Sequence, residues 1–190
     1  MSSVIAASQI GETTSLMMRT HHQPIGDLTG RWWLLHTKAR NEKALAIQLC
    51  DFGLDYFLPL IRVPRCYGRR RVEAVMPLFP GYLFVACVTD EDRYRVLYTK
   101  RVANVIAVTE QQRLILELEQ IRRALLTTKR AELYPGIKKG RRCRVTGGSL
   151  KGLEGVVSGR RATGRIFLDV TMLGQSAVVD IDVTLLEPID

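Results

Sequence analysis

The 190 residues contain no Cys-x-x-Cys pair and no cysteine spacing that repeats. The four cysteines, Cys50, Cys66, Cys87 and Cys143, are scattered, which excludes a disulfide framework or a zinc knuckle and fits a reducing cytosol. Cys50 and Cys87 fall within apolar runs and are expected as small core residues. No apolar run nears the ~20 residues of a membrane span, so no membrane partner is expected. The N-terminus lacks a basic stretch followed by an apolar one, which argues against a secretory signal. The phosphate-binding G-x-x-x-x-G-K, the nucleophile elbow G-x-S-x-G and the H-E-x-x-H pair are all missing. Of three histidines, His21 and His22 lie in a polar leader and His36 stands alone in an apolar strand. Without a catalytic constellation, no enzyme, cofactor or metal is expected.

Acidic residues are also short. There are 19 Asp+Glu against 28 Lys+Arg, a net charge of +9 with pI about 9.7. Residues 30–127 carry a net +6 and residues 136–190 a net +3. The excess favours an anionic partner, with nucleic acid the first guess. Hydrophobic content of 46% and charged content of 25% are those of an ordinary soluble globular protein, here expected to be monomeric.

Residues 1–29 are polar, without period, and are expected to be a mostly disordered leader. Structure is expected from Arg31. Trp32 to Thr37 predicts a strand, Lys38-Ala39-Arg40 a basic turn, and Asn41 the N-cap of a helix with Leu45, Leu49 and Phe52 at helical spacing and Ile47 near the same side. Gly53 stops that helix. Leu54 to Val63 predicts a second strand, with Pro59 at an edge or bulge. Arg62 to Arg71 holds five arginines and no acid, with Pro64 and Gly68 as a hairpin tip. Arg65, Arg69, Arg70 and Arg71 there suit phosphate contact without base readout.

After Thr89, with Asp92 as its reciprocal cap, Tyr94, Leu97 and Tyr98 give a short helix its apolar side. Lys100-Arg101 is a second basic turn, and Val102 to Val108 another strand. A long helix follows with Leu114, Leu118, Ile121 and Leu125 on one stripe. This order predicts an α+β fold, an N-terminal α/β sandwich over residues 30–127. Residues 128–135 predict a linker. Residues 136–190, cut by glycines, alternate at Ile166, Leu168 and Val170, then at Ala177, Val179, Ile181 and Val183. They predict a small β-barrel with Met172-Leu173-Gly174-Gln175 as a hairpin turn.

The chain is organised around Pro77-Leu78-Phe79-Pro80-Gly81-Tyr82-Leu83-Phe84-Val85. Pro80 and Gly81 predict a sharp bend. The strand beyond it is apolar on both faces, so it is either a central strand covered on both sides or one face is left for a partner. Tyr82 and Phe84 share a face and would form an aromatic docking surface, with Leu83 and Val85 on the core side.

This stretch, the opening Trp-Trp-Leu-Leu strand and Thr99-Lys100-Arg101-Val102-Ala103-Asn104-Val105 together resemble the N-terminal domain of the NusG family of transcription elongation factors. Residues Lys139 to Val157 resemble the KOW motif of its C-terminal SH3-like barrel. The resemblance implies a factor that docks on the clamp of RNA polymerase and suppresses pausing or termination. Tyr82 and Phe84 would be its anchors and Phe79 and Leu83 their supports. Arg65, Arg69, Arg70 and Arg71 would face upstream DNA or the polymerase. Lys38, Arg40, Lys100 and Arg101 would meet the non-template strand. Met172 to Gln175 would recruit a small-subunit ribosomal protein or Rho. Tyr82-Leu83-Phe84-Val85 looks more like specialised antiterminators of the RfaH type than like general factors. A ribosome-associated RNA-binding module is the alternative reading.

Overall fold

The computed structural model describes residues 17–19, 23–67, 70–127, 131–134, 140–158 and 163–189. The chain divides into two compact units, Met1–Gln111 and Gln112–Asp190. In the first unit β1 (Arg31–Thr37), β2 (Asp55–Phe57), β5 (Tyr82–Cys87) and β6 (Val102–Ala107) form an antiparallel sheet in the order β2-β5-β1-β6. β3 (Leu60–Tyr67) and β4 (Arg70–Pro77) pair as a separate hairpin. Pro59 splits the expected second strand in two: β2 joins the sheet, β3 leaves it, and the Pro59 carbonyl accepts from Leu78 N at 2.7 Å. Pro64 lies inside β3, opposite Glu73, rather than at the hairpin tip.

Directly opposed residues of an antiparallel pair share a face. One face therefore carries Tyr56, Leu83, Val85, Cys87 and Leu35. They pack with Leu45, Ala46 and Leu49 of α1 (Glu42–Asp51) and Val96 of α2 (Asp90–Tyr98). Each fully buried leucine here contributes about 2 kcal/mol of transfer free energy. Burial raises the Tyr56 hydroxyl pKa and pushes the Cys87 thiol up to about 12, so Cys87 is an inert core residue. Cys50 is exposed, contrary to expectation, because α1 buries Leu45, Ala46 and Leu49 instead. That same rotation leaves Ile47 54% exposed.

The stop of α1 and the start of α2 follow their sequences. In α1, Gly53 at φ +73 donates to the Cys50 carbonyl and Leu54 N to that of Leu49, a Schellman close. Asn41 precedes α1 without capping it through its side chain, which is engaged elsewhere. In α2 the reciprocal cap is present: Asp92 N donates to Thr89 Oγ1 at 3.2 Å and Thr89 N to Asp92 Oδ2 at 2.9 Å. The Thr89 and Val88 amides and the Thr89 hydroxyl hold the Asp92 carboxyl below its usual range. A depressed carboxylate pKa adds stability above the unfolded value of about 3.9 and loses it as pH falls through the folded value. Asp92→Ala is expected to lower stability by about 1 kcal/mol at neutral pH. Urea midpoints of parent and variant should converge below about pH 4.

Residues expected to belong to a disordered leader are built into this unit. Met17, Met18, Ile25 and Leu28 are buried, Leu58 N donates to the Met17 carbonyl at 2.7 Å, and Arg19 pairs with Asp55 at 2.8 Å. Four apolar side chains and an acid on edge strand β2 account for the attachment.

From Gln112 onward, α3 (Gln111–Thr127) belongs to the second unit, and its buried stripe is Leu114, Leu118, Ile121 and Ala124, with Leu125 half-buried. Gln111, the last residue of the first unit, extends the β1 ladder beyond β6. It accepts from Trp32 N and donates to the Trp32 carbonyl, both at 2.9 Å. β7 (Glu132–Tyr134), β8 (Arg141–Val145), β9 (Glu154–Ser158), β10 (Thr163–Val170), β11 (Gln175–Asp182) and β12 (Leu186–Pro188) form a sheet in the order β12-β8-β9-β10-β11-β7. The expected linker thus holds a strand, Glu132 to Tyr134 opposite Val178 to Ser176. Among the described residues no pairing joins β7 to β12, so the expected barrel is not seen to close. α3 is stitched to this sheet by Gln120, which accepts from Glu154 N, and by Arg123, which donates to the Lys151 carbonyl. No helix of the described residues is long and apolar enough to cross a membrane.

Candidate docking and nucleic-acid surfaces

The Pro80-Gly81 bend is fixed from three sides. Gly81 adopts φ +83, its N–H donates to the buried Glu42 carboxylate at 2.7 Å, and its carbonyl accepts from Thr37 N at 2.8 Å. A Cβ at Gly81 would lie 3.6 Å from the His36 ring. Tyr82 leaves the bend stacked on that ring, with centroids 5.2 Å apart and planes at 29°. His36 lies opposite both Tyr82 and Asn104. Tyr82 is half-buried, and His36 and Asn104 are exposed, so this end of the sheet face is open.

Moving along β5, the same face closes. Phe84 lies between Leu34 of β1 and Phe57 of β2, and all three are at most 1% exposed. Phe79 and Leu83 are also fully buried. Of the four expected polymerase contacts, only Tyr82 offers surface. Phe84 is corrected from an open anchor to a core residue, because both flanking strands place large apolar groups beside it. Glu42 escaped the sequence reading. Its one signal was an acid directly after the helix-leading Asn41, and nothing local linked it to a glycine 39 residues away.

The two basic turns meet. Lys38 N donates to the Arg101 carbonyl at 2.8 Å. Lys38, Arg40 and Lys100 are exposed. Arg101 is half-buried and bonded, its Nε to Gln48 and its Nη1 to Asn41, both at 2.8 Å. It therefore binds the turns to α1 rather than standing out for a ligand. Arg40 and Lys100 have φ of 59° and 58°, a region that costs a non-glycine residue about 1 kcal/mol.

In the hairpin, Arg65 is exposed with Nη2 3.2 Å from Met76 Sδ, and Arg62 pairs with Glu73 at 3.7 Å. Arg70 and Arg71 lie in β4, and Arg69 falls outside the described residues, as do His21 and His22. Trp33, which was not among the expected site residues, has the guanidinium carbons of Arg31 and Arg93 at 5.2 and 5.3 Å from its ring centroid. In the second unit, Val170 opposite Gln175 closes the expected hairpin. Its turn is a 3-10 helix, Thr171–Leu173, ended by Gly174 at φ +62. Glu117 of α3 accepts from Thr171 N at 3.0 Å and from its hydroxyl, which in turn accepts from Arg113. Met172, Leu173 and Gln175 are half-buried and Gly174 is exposed. Among the described residues, no group of three His, Cys, Asp or Glu side chains is placed to hold a metal ion.

The family described as "Transcription termination factor nusG" matches residues 30–125, half of the chain and the stretch that carries both the Pro80-Gly81 bend and the basic turns. By sequence, this stretch is a transcription factor domain. The chain belongs to the NusG family. A solved structure described as "Domain interaction in Thermotoga maritima NusG" is 20% identical with a TM-score of 0.45, over 84% of this chain and 97% of that one. No curated protein matches the sequence.

Proposed function

We propose that this protein is a transcription elongation and antitermination factor of the bacterial cytosol. Its first unit docks on the clamp of RNA polymerase through the Tyr82 end of the sheet and suppresses pausing or termination. Phe79, Leu83 and Phe84 support that end from beneath. Lys38, Arg40 and Lys100, held in place by Arg101, meet upstream or non-template DNA, with Arg65 and its neighbouring arginines on the hairpin. The second unit, an SH3-like KOW domain, recruits a small-subunit ribosomal protein or Rho through Met172 to Gln175. The observation that carries the reading is the family match over residues 30–125, in which Tyr82 stays open beside a bend fixed by Glu42.

Capture of RNA polymerase by the tagged full-length protein tests it. Tyr82→Ala is expected to weaken capture by about tenfold or more, the size of an aromatic anchor. Because Tyr82 is half-exposed, the variant should keep the parent's circular dichroism. Unchanged capture, or comigration with ribosomes in place of polymerase, would overturn the docking assignment.

A further inference from the structure

We infer that α2 is a dimerisation helix: it packs antiparallel against α2 of a second copy of this chain, joining Tyr94, Leu97 and Tyr98 across a two-fold axis. This departs from the monomer expected from the sequence. The sequence also placed Tyr94, Leu97 and Tyr98 on the packed side of α2, and the structure reverses this. Val96 is the buried residue, and Tyr94, Leu97 and Tyr98 are 53, 44 and 82% exposed. Residues three and four apart are neighbours on a helix surface, so these three form one stripe. A single exposed apolar residue is ordinary, but three in one stripe, two of them tyrosine, have the make-up of an interface centre. The helix beneath the stripe is well seated. Val96 is in the core, the Arg95 guanidinium carbon lies 4.7 Å from the centroid of the Phe52 ring at the end of α1, and Thr89 and Asp92 cap the start.

Charge selects the occupant. Asp90 and Glu91 in the first turn, and Lys100 just beyond the last, are all exposed. They give the helix an acidic end, an apolar middle and a basic end. Such an order is complementary to its own reverse. A two-fold axis sets Glu91 of one copy opposite Lys100 of the other, twice, with Tyr94, Leu97 and Tyr98 between them. A uniformly anionic partner would be repelled at the acidic end. The contact also lies away from the proposed docking end. α2 packs on the side of the sheet that carries Leu83 and Val85, whereas Tyr82 alternates to the other side. A nine-residue helix is about 14 Å long. Paired with its equivalent it buries less than the ~800 Å² per partner of a standard interface, so the dimer is reversible, with a Kd in the micromolar range.

Sedimentation velocity of the full-length protein, over a concentration series that spans the micromolar range, tests this. The parent is expected to pass from monomer to dimer as concentration rises. Tyr98→Ala should weaken the dimer by about a hundredfold, because two-fold symmetry counts each anchor twice. With its ring mostly in solvent, that variant should keep the parent's circular dichroism. Glu91→Lys and Lys100→Glu should each weaken the dimer by about tenfold, by setting like charges opposite one another. Mixed together, these two variants should pair with each other about as well as the parent pairs with itself, since both opposed pairs are then unlike in sign. Damage to the fold by either substitution would not be repaired by mixing. A parent that stays monomeric throughout the series would overturn the inference and leave the stripe to a different protein. A dimer that survives Tyr98→Ala and both charge reversals would overturn it too, because the copies would then meet through another surface. Neither polymerase nor nucleic acid is present in the measurement, so failure here leaves the proposed function standing.

Discussion

Replacing Phe84 by alanine is expected to destabilise the first unit by about 3 to 5 kcal/mol. That approaches the whole stability of a small domain. The ring has no exposed surface and lies on β5, the strand flanked by β1 and β2. Its cross-strand neighbours Leu34 and Phe57 are as buried as it is. A cavity between three paired strands cannot collapse without breaking the register, so the cavity cost adds to the lost transfer free energy. Urea unfolding followed by tryptophan fluorescence reads this directly, since the chain's two tryptophans, Trp32 and Trp33, are both on β1, and Trp32 is buried opposite Ala86. A midpoint shift equivalent to less than about 0.5 kcal/mol would mean that the ring is at the surface, as surface substitutions usually behave. The result separates two readings of one strand. Loss of polymerase capture in Phe84→Ala reports a damaged fold, and only Tyr82→Ala, at the open end, reports docking.

The strand from Tyr82 to Val85 shows how far the sequence reaches. Its unbroken apolar run left two options, a covered central strand or a docking face, and the exposure changes along its length. Phe84 is covered, and Tyr82 is half-open beside His36. Local periodicity could not divide them, because the division depends on which residues of β1 and β2 lie opposite, and pairing register is non-local. Features set within four residues were legible: the Thr89–Asp92 cap, the Gly53 stop and the Gly174 turn. Features set by distant partners were not. Glu42 beneath Gly81, Arg101 between Asn41 and Gln48, and Met17 against Leu58 each join segments that share no sequence pattern. The face of α2 failed for a related reason. In α2 the apolar residues outnumber the positions that face the sheet, and Val96 alone takes the buried one, leaving Tyr94, Leu97 and Tyr98 outside.

In the second unit, a single methyl group at residue 155 is expected to do comparable harm. Gly155 lies on β9, between β8 and β10, opposite Cys143. A Cβ there would collide with the Phe167 carbonyl oxygen and lie 2.8 Å from Ile166 Cγ1. Neither neighbour can yield: Ile166 is fully buried and Phe167 is 5% exposed, both within the β10–β11 ladder. Gly155→Ala is therefore expected to cost about 2 to 3 kcal/mol through overpacking. Gly174→Ala provides the contrast, since a Cβ there meets nothing within 4 Å and only the backbone strain at φ +62 remains, about 1 kcal/mol. Hydrogen exchange on the full chain distinguishes the two. Gly155→Ala should lose amide protection across residues 141–188 and keep it across residues 31–107, while Gly174→Ala should keep both. Equal protection in the two variants would mean that the close approach of β9 to β10 is not required for the sheet. If the loss is confined to the second unit, the same variant is expected to keep the proposed polymerase capture and to lose the proposed recruitment of a second factor, which would place the two in separate halves of the chain.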